Sequence, residues 1–347
     1  MVSSDTSKHL RAGLVLARWP ARAGMSLLAA TLTLLSSLAL AESRSPEYWL
    51  EKLGPAMNMT SYRGVFVYAR GDQVSSMQIA HRYRDGLVEE RLFQQDGANG
   101  EIVRKGMQVV CVLPAHGRLK LEQVIPSGPF AEAFANQFMP GSQWYQSELL
   151  GEDRVAGYKS VTLALNARDR FRYSHRLWLE KGTGLLVKGH VRDHRGEVLE
   201  HFQFTSLEIR DDLPDSAFQV QSEGNQIERT LEERPPTDNE DAVVGWELGW
   251  QPEGFMPAAA PGSGRGQVLA FSDGLAAFSV FVEAAGKLAM PTGMTRVGAT
   301  TIYMREVESP SGQVRVTVVG EVPPVTARKV AESVTIDDNF SLGREAP

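Results

Sequence analysis

The sequence predicts a β-rich α+β protein made of two domains. Short segments in which apolar and polar residues alternate recur along most of the chain, separated by Gly, Pro, Asn and Asp, as is typical of antiparallel strands. Few segments carry the apolar spacing of a helix. Residues 222–241 are polar and contain two adjacent prolines. We therefore expect a linker there, between an N-terminal domain (residues 42–221) and a C-terminal domain (residues 242–347).

The first 41 residues are typical of a cleavable signal peptide. Four basic residues precede an uncharged apolar run, residues 25–40, and alanines flank Leu40. The basic residues are Lys8, Arg11, Arg18 and Arg22. The run is shorter than the roughly 20 residues that a membrane-spanning helix needs. We therefore expect export of the chain and cleavage after Ala41.

The N-terminal domain is predicted to begin with a helix over residues 46–57 and to continue as strands. The apolar stripe of this helix is Trp49, Leu50, Leu53 and Met57. The predicted strands cover residues 62–68, 77–83, 87–95, 101–104, 108–113, 145–155, 159–167, 173–180, 185–192 and 197–204. Phe130, Phe134 and Phe138, spaced four apart, predict a short helix lying on the sheet.

The last two of these strands predict a hairpin with residues 193–196 as its loop. Pairing Arg192 with Glu197 puts Val187 opposite Phe202 and gathers the apolar side chains on one face. In the C-terminal domain, alternation and spacing predict four strands and a helix. They cover residues 269–271, 277–283, 301–307 and 314–322, and residues 326–334 for the helix.

Composition and motifs argue against several functions. The net charge is −6, whereas nucleic acid binding calls for a basic surface. Cys111 is the only cysteine, so no internal disulfide can form. His190 and His194 on a strand and its turn do not converge on one metal ion. Because no nucleophile elbow, phosphate loop or zinc motif is present, we expect no metal, no cofactor and no enzymatic activity; a periplasmic hydrolase is the least favoured alternative.

Two groups of side chains could bind a ligand. Arg168, Arg170 and Arg172 alternate at the start of a predicted strand, so they would share one face and could contact anionic groups; a solvated strand face is the alternative. Aromatic side chains of the first domain could line an apolar cavity instead of forming ordinary core. The residues chosen for this cavity are Phe66, Tyr68, Phe134, Phe138, Trp178 and Phe202.

Many segments resemble the MucB/RseB family, in order along nearly the whole chain after residue 41. In the first domain they include Tyr62-Arg-Gly-Val-Phe-Val-Tyr68, Leu150-Gly-Glu-Asp-Arg-Val-Ala-Gly157 and Phe202-Gln-Phe-Thr205. In the second domain they include Pro252-Glu-Gly-Phe255, Ser272-Asp-Gly-Leu-Ala-Ala-Phe-Ser-Val-Phe-Val-Glu283 and Val316-Thr-Val-Val-Gly-Glu-Val-Pro323.

This resemblance implies a large N-terminal domain similar to the lipoprotein carriers LolA and LolB, an unclosed antiparallel β-barrel with covering helices, and a smaller C-terminal α/β domain. It also implies a periplasmic regulator. Such a protein binds the periplasmic segment of an RseA/MucA-type anti-sigma factor and protects it from regulated proteolysis until lipopolysaccharide or lipoprotein acyl chains release it. The sigma factor is of the sigma-E or AlgU type, with alginate synthesis among the outputs of MucB-like members. Whether the protein forms a homodimer is left open.

The family supplies no catalytic motif, so the contact residues are hypotheses. We assign acyl chains to the aromatic cavity residues, and the anti-sigma contact to Phe278, Val280 and Phe281 with the linker. The alternative function is a periplasmic lipid or lipoprotein carrier without a signalling role. A carrier alone would not need residues 243–347.

Overall fold

A computed structural model describes residues 44–97, 100–113, 143–230, 245–258, 267–285, 292–309, 312–337 and 340. The described residues from Ser45 onward belong to one compact unit. Among them, no helix is long and apolar enough to cross a membrane. The predicted signal peptide and the predicted helix over residues 130–138 lie outside the described residues.

The N-terminal part is an open antiparallel sheet of eleven strands. The strands are β1 (Tyr62–Arg70), β2 (Gln73–Arg84), β3 (Leu87–Gln94), β4 (Glu101–Lys105), β5 (Gln108–Leu113), β6 (Tyr145–Val155), β7 (Tyr158–Ala167), β8 (Ser174–Glu180), β9 (Leu186–Arg192), β10 (Val198–Ile209) and β11 (Asn225–Thr230). Across the sheet they follow the order β11-β5-β4-β3-β2-β1-β10-β9-β8-β7-β6, so β11 and β6 are the edge strands among the described residues. The predicted β-rich, unclosed fold is confirmed.

Helix α1 (Pro46–Met59) covers part of this sheet. The side chain of its N-cap residue, Ser45, accepts a hydrogen bond from the backbone N–H of Tyr48 (3.3 Å). In its apolar stripe Trp49, Leu50 and Leu53 are buried and Met57 is half-buried. Leu53 belongs to the same core cluster as Leu163 of β7. A short helix is marginal by itself, so this packing is what stabilises it.

The β9–β10 hairpin pairs in a register different from the predicted one. Phe202 lies opposite Gly189 rather than Val187, and Arg192 lies opposite Val198. The predicted register is therefore wrong, because the loop is one residue longer than expected and β10 contains an irregularity just after Val198. At Phe202 the observed register differs from the predicted one by two residues. Because side chains alternate with a period of two, Phe202 still lies on its predicted face of the sheet.

The C-terminal part is a second antiparallel sheet covered by a helix. Its elements are β12 (Trp246–Leu248), β13 (Met256–Ala258), β14 (Gln267–Ser272), β15 (Ala277–Ala284), β16 (Gly293–Val297), β17 (Thr300–Ser309), β18 (Gly312–Gly320), α2 (Pro324–Glu332) and β19 (Val334–Ile336). The main sheet has the order β13-β14-β15-β18-β17-β16, and β12 pairs with β19. Ala327 and Val330 of α2 pack with Val280 and Val316 of the sheet. The smaller α/β domain is thus confirmed, with β12, β13, β16 and β19 added to the predicted strands.

The start of the predicted linker belongs to the large sheet. Residues 225–230 form β11, which pairs with β5. Just before it, the buried Glu101 carboxylate accepts hydrogen bonds from the backbone N–H groups of Gln221 and Ser222. Part of the predicted linker is therefore a strand, because Glu101 and β5 supply partners that a polar composition does not reveal. The domain boundaries themselves remain predictions.

Candidate functional site

Three of the predicted cavity residues lie together on one face of the large sheet. Phe66 and Tyr68 of β1 lie opposite Phe204 and Phe202 of β10. The ring centroids of Phe66 and Phe202 are 5.0 Å apart, and Met57 of α1 packs against the group. Phe66 and Tyr68 are buried, whereas Phe202 is half-buried. We call Phe66, Tyr68, Phe202 and Phe204 the aromatic face.

The strand register sets Trp178 apart from the four residues of the aromatic face. Leu177 lies opposite Gly189, and Gly189 lies opposite Phe202, so the residue after Leu177 points to the other side of the sheet. There the Trp178 indole N–H donates to Asp153 Oδ2 (2.9 Å). Trp178 nevertheless belongs to the same buried cluster as Phe66, Tyr68 and Phe204, so its place among the cavity residues stays a prediction.

The aromatic face ends in a buried pair that contacts the C-terminal domain. The Tyr68 hydroxyl donates to Glu200 Oε2 (2.6 Å). Burial raises the pKa of both groups, and the nearby carboxylate raises the pKa of Tyr68 further. Glu200 Oε1 accepts a hydrogen bond from the backbone N–H of Ala299, in the turn between β16 and β17 (2.9 Å). A buried carboxylate of the first domain therefore binds a backbone turn of the second.

A second turn of the C-terminal domain, between β14 and β15, inserts into the N-terminal core. Leu275 is 1% exposed and belongs to the same cluster as Trp49 of α1 and side chains of β7 and β8. The Asp273 Oδ1 atom shapes this turn by accepting the backbone N–H groups of Leu275 (3.0 Å) and Ala276 (2.8 Å). We call residues 273–276 the plug turn, because they fill apolar space beneath α1.

A buried ion pair fixes the plug turn to the N-terminal domain. Arg172 Nη1 lies 2.7 Å from Asp273 Oδ2, and both side chains are 0% exposed. The Tyr145 hydroxyl donates to the same oxygen (2.9 Å), and burial together with this carboxylate raises the Tyr145 pKa well above its ordinary value. Arg172 Nη2 also donates to the backbone oxygen of Glu253 (2.5 Å). Removal of either charge would leave the other buried and uncompensated.

The three arginines predicted to share a strand face lie in a turn instead. Residues 168–172 connect β7 to β8; Arg168 and Arg170 are exposed there, whereas Arg172 is buried. Asp169 bends the chain by accepting the backbone N–H two residues later (2.7 Å), and its carboxylate also binds Arg172 (3.0 Å). The predicted array is wrong because of this local turn. The described anionic partners of Arg172 are the chain's own carboxylates.

Helix α2 contacts the same turn. Lys329 Nζ lies 3.9 Å from the Trp250 ring centroid and 5.2 Å from that of Phe171. Thr326 Oγ1 donates to the Phe171 backbone oxygen (2.8 Å). The turn between β7 and β8 is therefore the part of the N-terminal domain that α2 and Trp250 contact.

Two of the three predicted anti-sigma contact residues are inside the C-terminal core. Phe278 and Val280 are 1% and 0% exposed and pack in the cluster that α2 completes. Phe281 alternates to the other face of β15 and is half-buried. A direct contact through Phe278 and Val280 is thus contradicted, because one face of this strand is fully used by the core. Phe281 remains a proposed contact.

Sequence reasoning missed Asp273 and Leu275. Asp-Gly at residues 273–274 is a turn signal, which could have located the plug turn but not its partner. Phe134 and Phe138 lie outside the described residues. No cluster of three His, Cys, Asp or Glu residues that could hold a metal ion occurs in the described part of the chain.

Comparisons with known proteins cover both parts of the chain. The sequence model of the MucB/RseB N-terminal domain matches residues 45–222, and that of the C-terminal domain matches residues 240–335. The sigma factor AlgU regulatory protein MucB of Pseudomonas aeruginosa is 33% identical over 302 residues, which cover 82% of this chain and 89% of the relative. The sigma-E factor regulatory protein RseB of Escherichia coli K12 is 27% identical, with the same coverage.

A solved structure is similar over nearly its whole length. The crystal structure of MucB in complex with MucA(peri) has 32% sequence identity and a TM-score of 0.66 to this chain. The match covers 84% of this chain and 99% of the solved one.

Proposed function

Because this chain belongs to the MucB/RseB family, we propose that it binds the periplasmic segment of a MucA/RseA-type anti-sigma factor and so restrains an envelope-stress sigma factor. The observation that carries this proposal is the match to both family domains together with the similarity to MucB in its complex with MucA(peri). The named relatives are sigma factor regulatory proteins, and the chain is not an enzyme.

The finer steps of this function follow as part of the same proposal. The chain is exported to the periplasm, shields its partner from the first signalling protease, and releases it when acyl chains of lipopolysaccharide or lipoprotein bind. The aromatic face supports an apolar ligand, since it gathers four aromatic rings beside α1. Phe281 and the exposed surface of the second sheet are the proposed partner contact.

The plug turn supports a route from ligand binding to release. Leu275 occupies apolar surface beneath α1, close to the half-buried Phe202, which packs against the same cluster. An acyl chain that reached this surface would compete with Leu275, and displacement of the turn would also break the Arg172–Asp273 ion pair. A ligand shifts an equilibrium only through different affinities for two states, and this competition supplies such a difference.

A protease-protection assay tests the proposal. The full-length anti-sigma factor encoded beside this chain is incubated with its first signalling protease, with and without residues 42–347, and with lipopolysaccharide added to half of the samples. We expect the chain to slow cleavage and lipopolysaccharide to restore it. Cleavage that is unaffected by the chain would contradict the regulatory function, and protection that lipid leaves unchanged would contradict the release step.

A lipid carrier without a signalling role is less well supported. The second domain is joined to the first by the plug turn, by the Glu200–Ala299 hydrogen bond and by the contacts of α2. A carrier would have to open this interface each time it binds a lipid. The same protection assay separates the two functions, because a carrier would bind lipid but not slow cleavage.

A further inference from the structure

Five basic side chains form a cluster on the side of β8, β9 and β10 opposite the aromatic face. The cluster consists of Arg176, Lys188, His190, Arg192 and His201, all half-buried. Arg176 lies opposite His190, and His190 lies opposite His201, so these three form one row across the sheet. Lys188 and Arg192 flank His190 along β9 on the same face. We call these five residues the basic cluster.

Carboxylates near the basic cluster offset its charge only in part: hydrogen bonds from the Arg154 backbone and the Trp178 indole lower the pKa of Asp153, and the charge of Lys188 lowers it further. Asp153 accepts the Trp178 indole N–H, and Glu180 accepts the backbone N–H groups of Gly182 and Thr183. Glu148 of β6 is exposed and is separated from Arg176 by β7. Among the described residues, no salt bridge joins a member of the basic cluster to an acid. In a chain of net charge −6, this is a local excess of positive charge.

The cluster is satisfied only in part by the chain itself: Arg192 Nε and Nη2 donate to the backbone oxygen of Gly196 (3.1 and 2.7 Å), and Lys188 Nζ lies 4.3 Å from the Trp178 ring centroid. The buried Nε of Arg176 has no hydrogen-bond partner among the described residues, and burial together with Arg192 lowers the pKa of Arg176. Burial, and then the charges of His201 and the three cationic neighbours, lower the pKa of His190 to about 4. The imidazoles of His190 and His201 are hydrogen-bonded to each other (2.8 Å). Both pKa shifts show that positive charge is disfavoured here, and an anion would relieve this.

We propose that the basic cluster binds a phosphate group, carried by a lipid headgroup or present as free phosphate. Guanidinium groups bind phosphate oxygens through forked, charge-assisted hydrogen bonds, and the lysine adds a point charge. The half-buried position beside Trp178 strengthens these interactions by excluding water. The site lies on a different face from the aromatic face and does not depend on the anti-sigma proposal.

Calorimetry and NMR of residues 42–347 test the site. Inorganic phosphate is titrated into the wild-type protein and into the double variant Arg176→Gln/Arg192→Gln. The matched control, Arg168→Gln/Arg170→Gln, removes the same charge from exposed positions in the turn between β7 and β8. We expect at least a tenfold loss of phosphate affinity in the cluster variant and less than a twofold change in the control. Equal losses in both variants would indicate a general charge effect and overturn the proposal.

The histidine ring signals provide a readout that needs no variant. In the wild-type protein, phosphate should shift the His190 and His201 ring signals saturably and raise the pH at which they titrate, whereas the exposed His194 should barely respond. Unchanged His190 and His201 signals at saturating phosphate would overturn the site.

Flotation with phosphatidylglycerol and phosphatidylcholine vesicles distinguishes the source of the phosphate. Binding to phosphatidylglycerol vesicles alone that depends on the basic cluster supports a lipid phosphate. Phosphate binding without flotation supports the free ion. Binding of a Glu-rich peptide but not of phosphate would contradict the proposal.

Discussion

At the scale of single residues, buried charge is the feature that distinguishes this chain from an ordinary β-rich core. The described interior contains Arg82 with Glu89, Arg91 with Glu101, and Arg172 with Asp273. The last pair joins the two domains. A buried pair adds little stability compared with an apolar replacement, but the loss of one partner is costly.

Asp273→Asn should destabilise the protein strongly. The substitution keeps the side-chain shape but leaves the buried Arg172 guanidinium without its main counter-charge, for an expected loss of about 3 kcal/mol in the free energy of unfolding. Urea unfolding measures this loss of stability. Arg63→Gln, which removes an exposed pair with Glu208, is the control and should cost less than about 1 kcal/mol. Similar losses in the two variants would contradict the account of the interface.

Stability should fall as the pH is lowered from about 6.5 towards 4. Burial lowers the pKa of His175 from 6.5 to about 4. Between these pH values the unfolded chain binds a proton at His175 that the folded chain excludes. The stability that the neutral His175 contributes is therefore complete above the unfolded pKa and is lost as the pH falls towards 4. The full loss amounts to about 3 kcal/mol in the free energy of unfolding. Urea midpoints at pH 7.5 and 5 for wild type and His175→Gln check this. The variant should depend less on pH, whereas His194→Gln, an exposed control, should behave as wild type.

At the scale of elements, the sequence predicted most strands of the large sheet but not their pairing partners. Alternation located β1 to β10 because each strand offers one face to a core. The edges β11, β13 and β16 were missed because their mostly exposed side chains lack that alternation. Residues 168–172 were predicted to enter a strand because arginines alternate there. The Asp169 carboxylate instead accepts a hydrogen bond from the Phe171 backbone N–H, which stabilises a turn. The pairing of Phe66 and Tyr68 with Phe204 and Phe202 required the register of β1 and β10, which the spacing within one strand does not show.

Gly254→Ala should cost more stability than Gly86→Ala. Both glycines have a positive φ, +83° and +80°, so alanine is strained at either position. A Cβ at Gly254 would collide with the Trp144 indole, whereas a Cβ at Gly86 meets no atom within 4 Å. We expect about 1 kcal/mol for Gly86→Ala and clearly more for Gly254→Ala, measured by thermal unfolding. Equal costs would mean that Trp144 does not restrict this turn.

At the scale of the whole molecule, the two domains are coupled by small turns of the second that enter the first. The plug turn places Leu275 in the N-terminal core, and the β16–β17 turn places Ala299 against Tyr173 and Leu199. Separation of the domains therefore exposes apolar surface and buried charge together.

Leu275→Ala should weaken this coupling. Truncation of a fully buried leucine leaves a cavity between the domains and is expected to cost about 3 kcal/mol in unfolding free energy. Val325→Ala on α2, where the side chain is 38% exposed, should change stability by less than about 0.5 kcal/mol. Urea unfolding followed by tryptophan fluorescence compares the two. A Leu275→Ala protein as stable as Val325→Ala would contradict the role of the plug turn.

The most direct test of the proposed function is calorimetric titration of residues 42–347 with the periplasmic segment of the neighbouring anti-sigma factor, with and without lipopolysaccharide. We expect a one-to-one complex with a Kd of about 1 μM or tighter, corresponding to about −8 kcal/mol, and a weaker affinity once lipid is present. Lipid binding without any affinity for the segment would contradict it and would favour the carrier function.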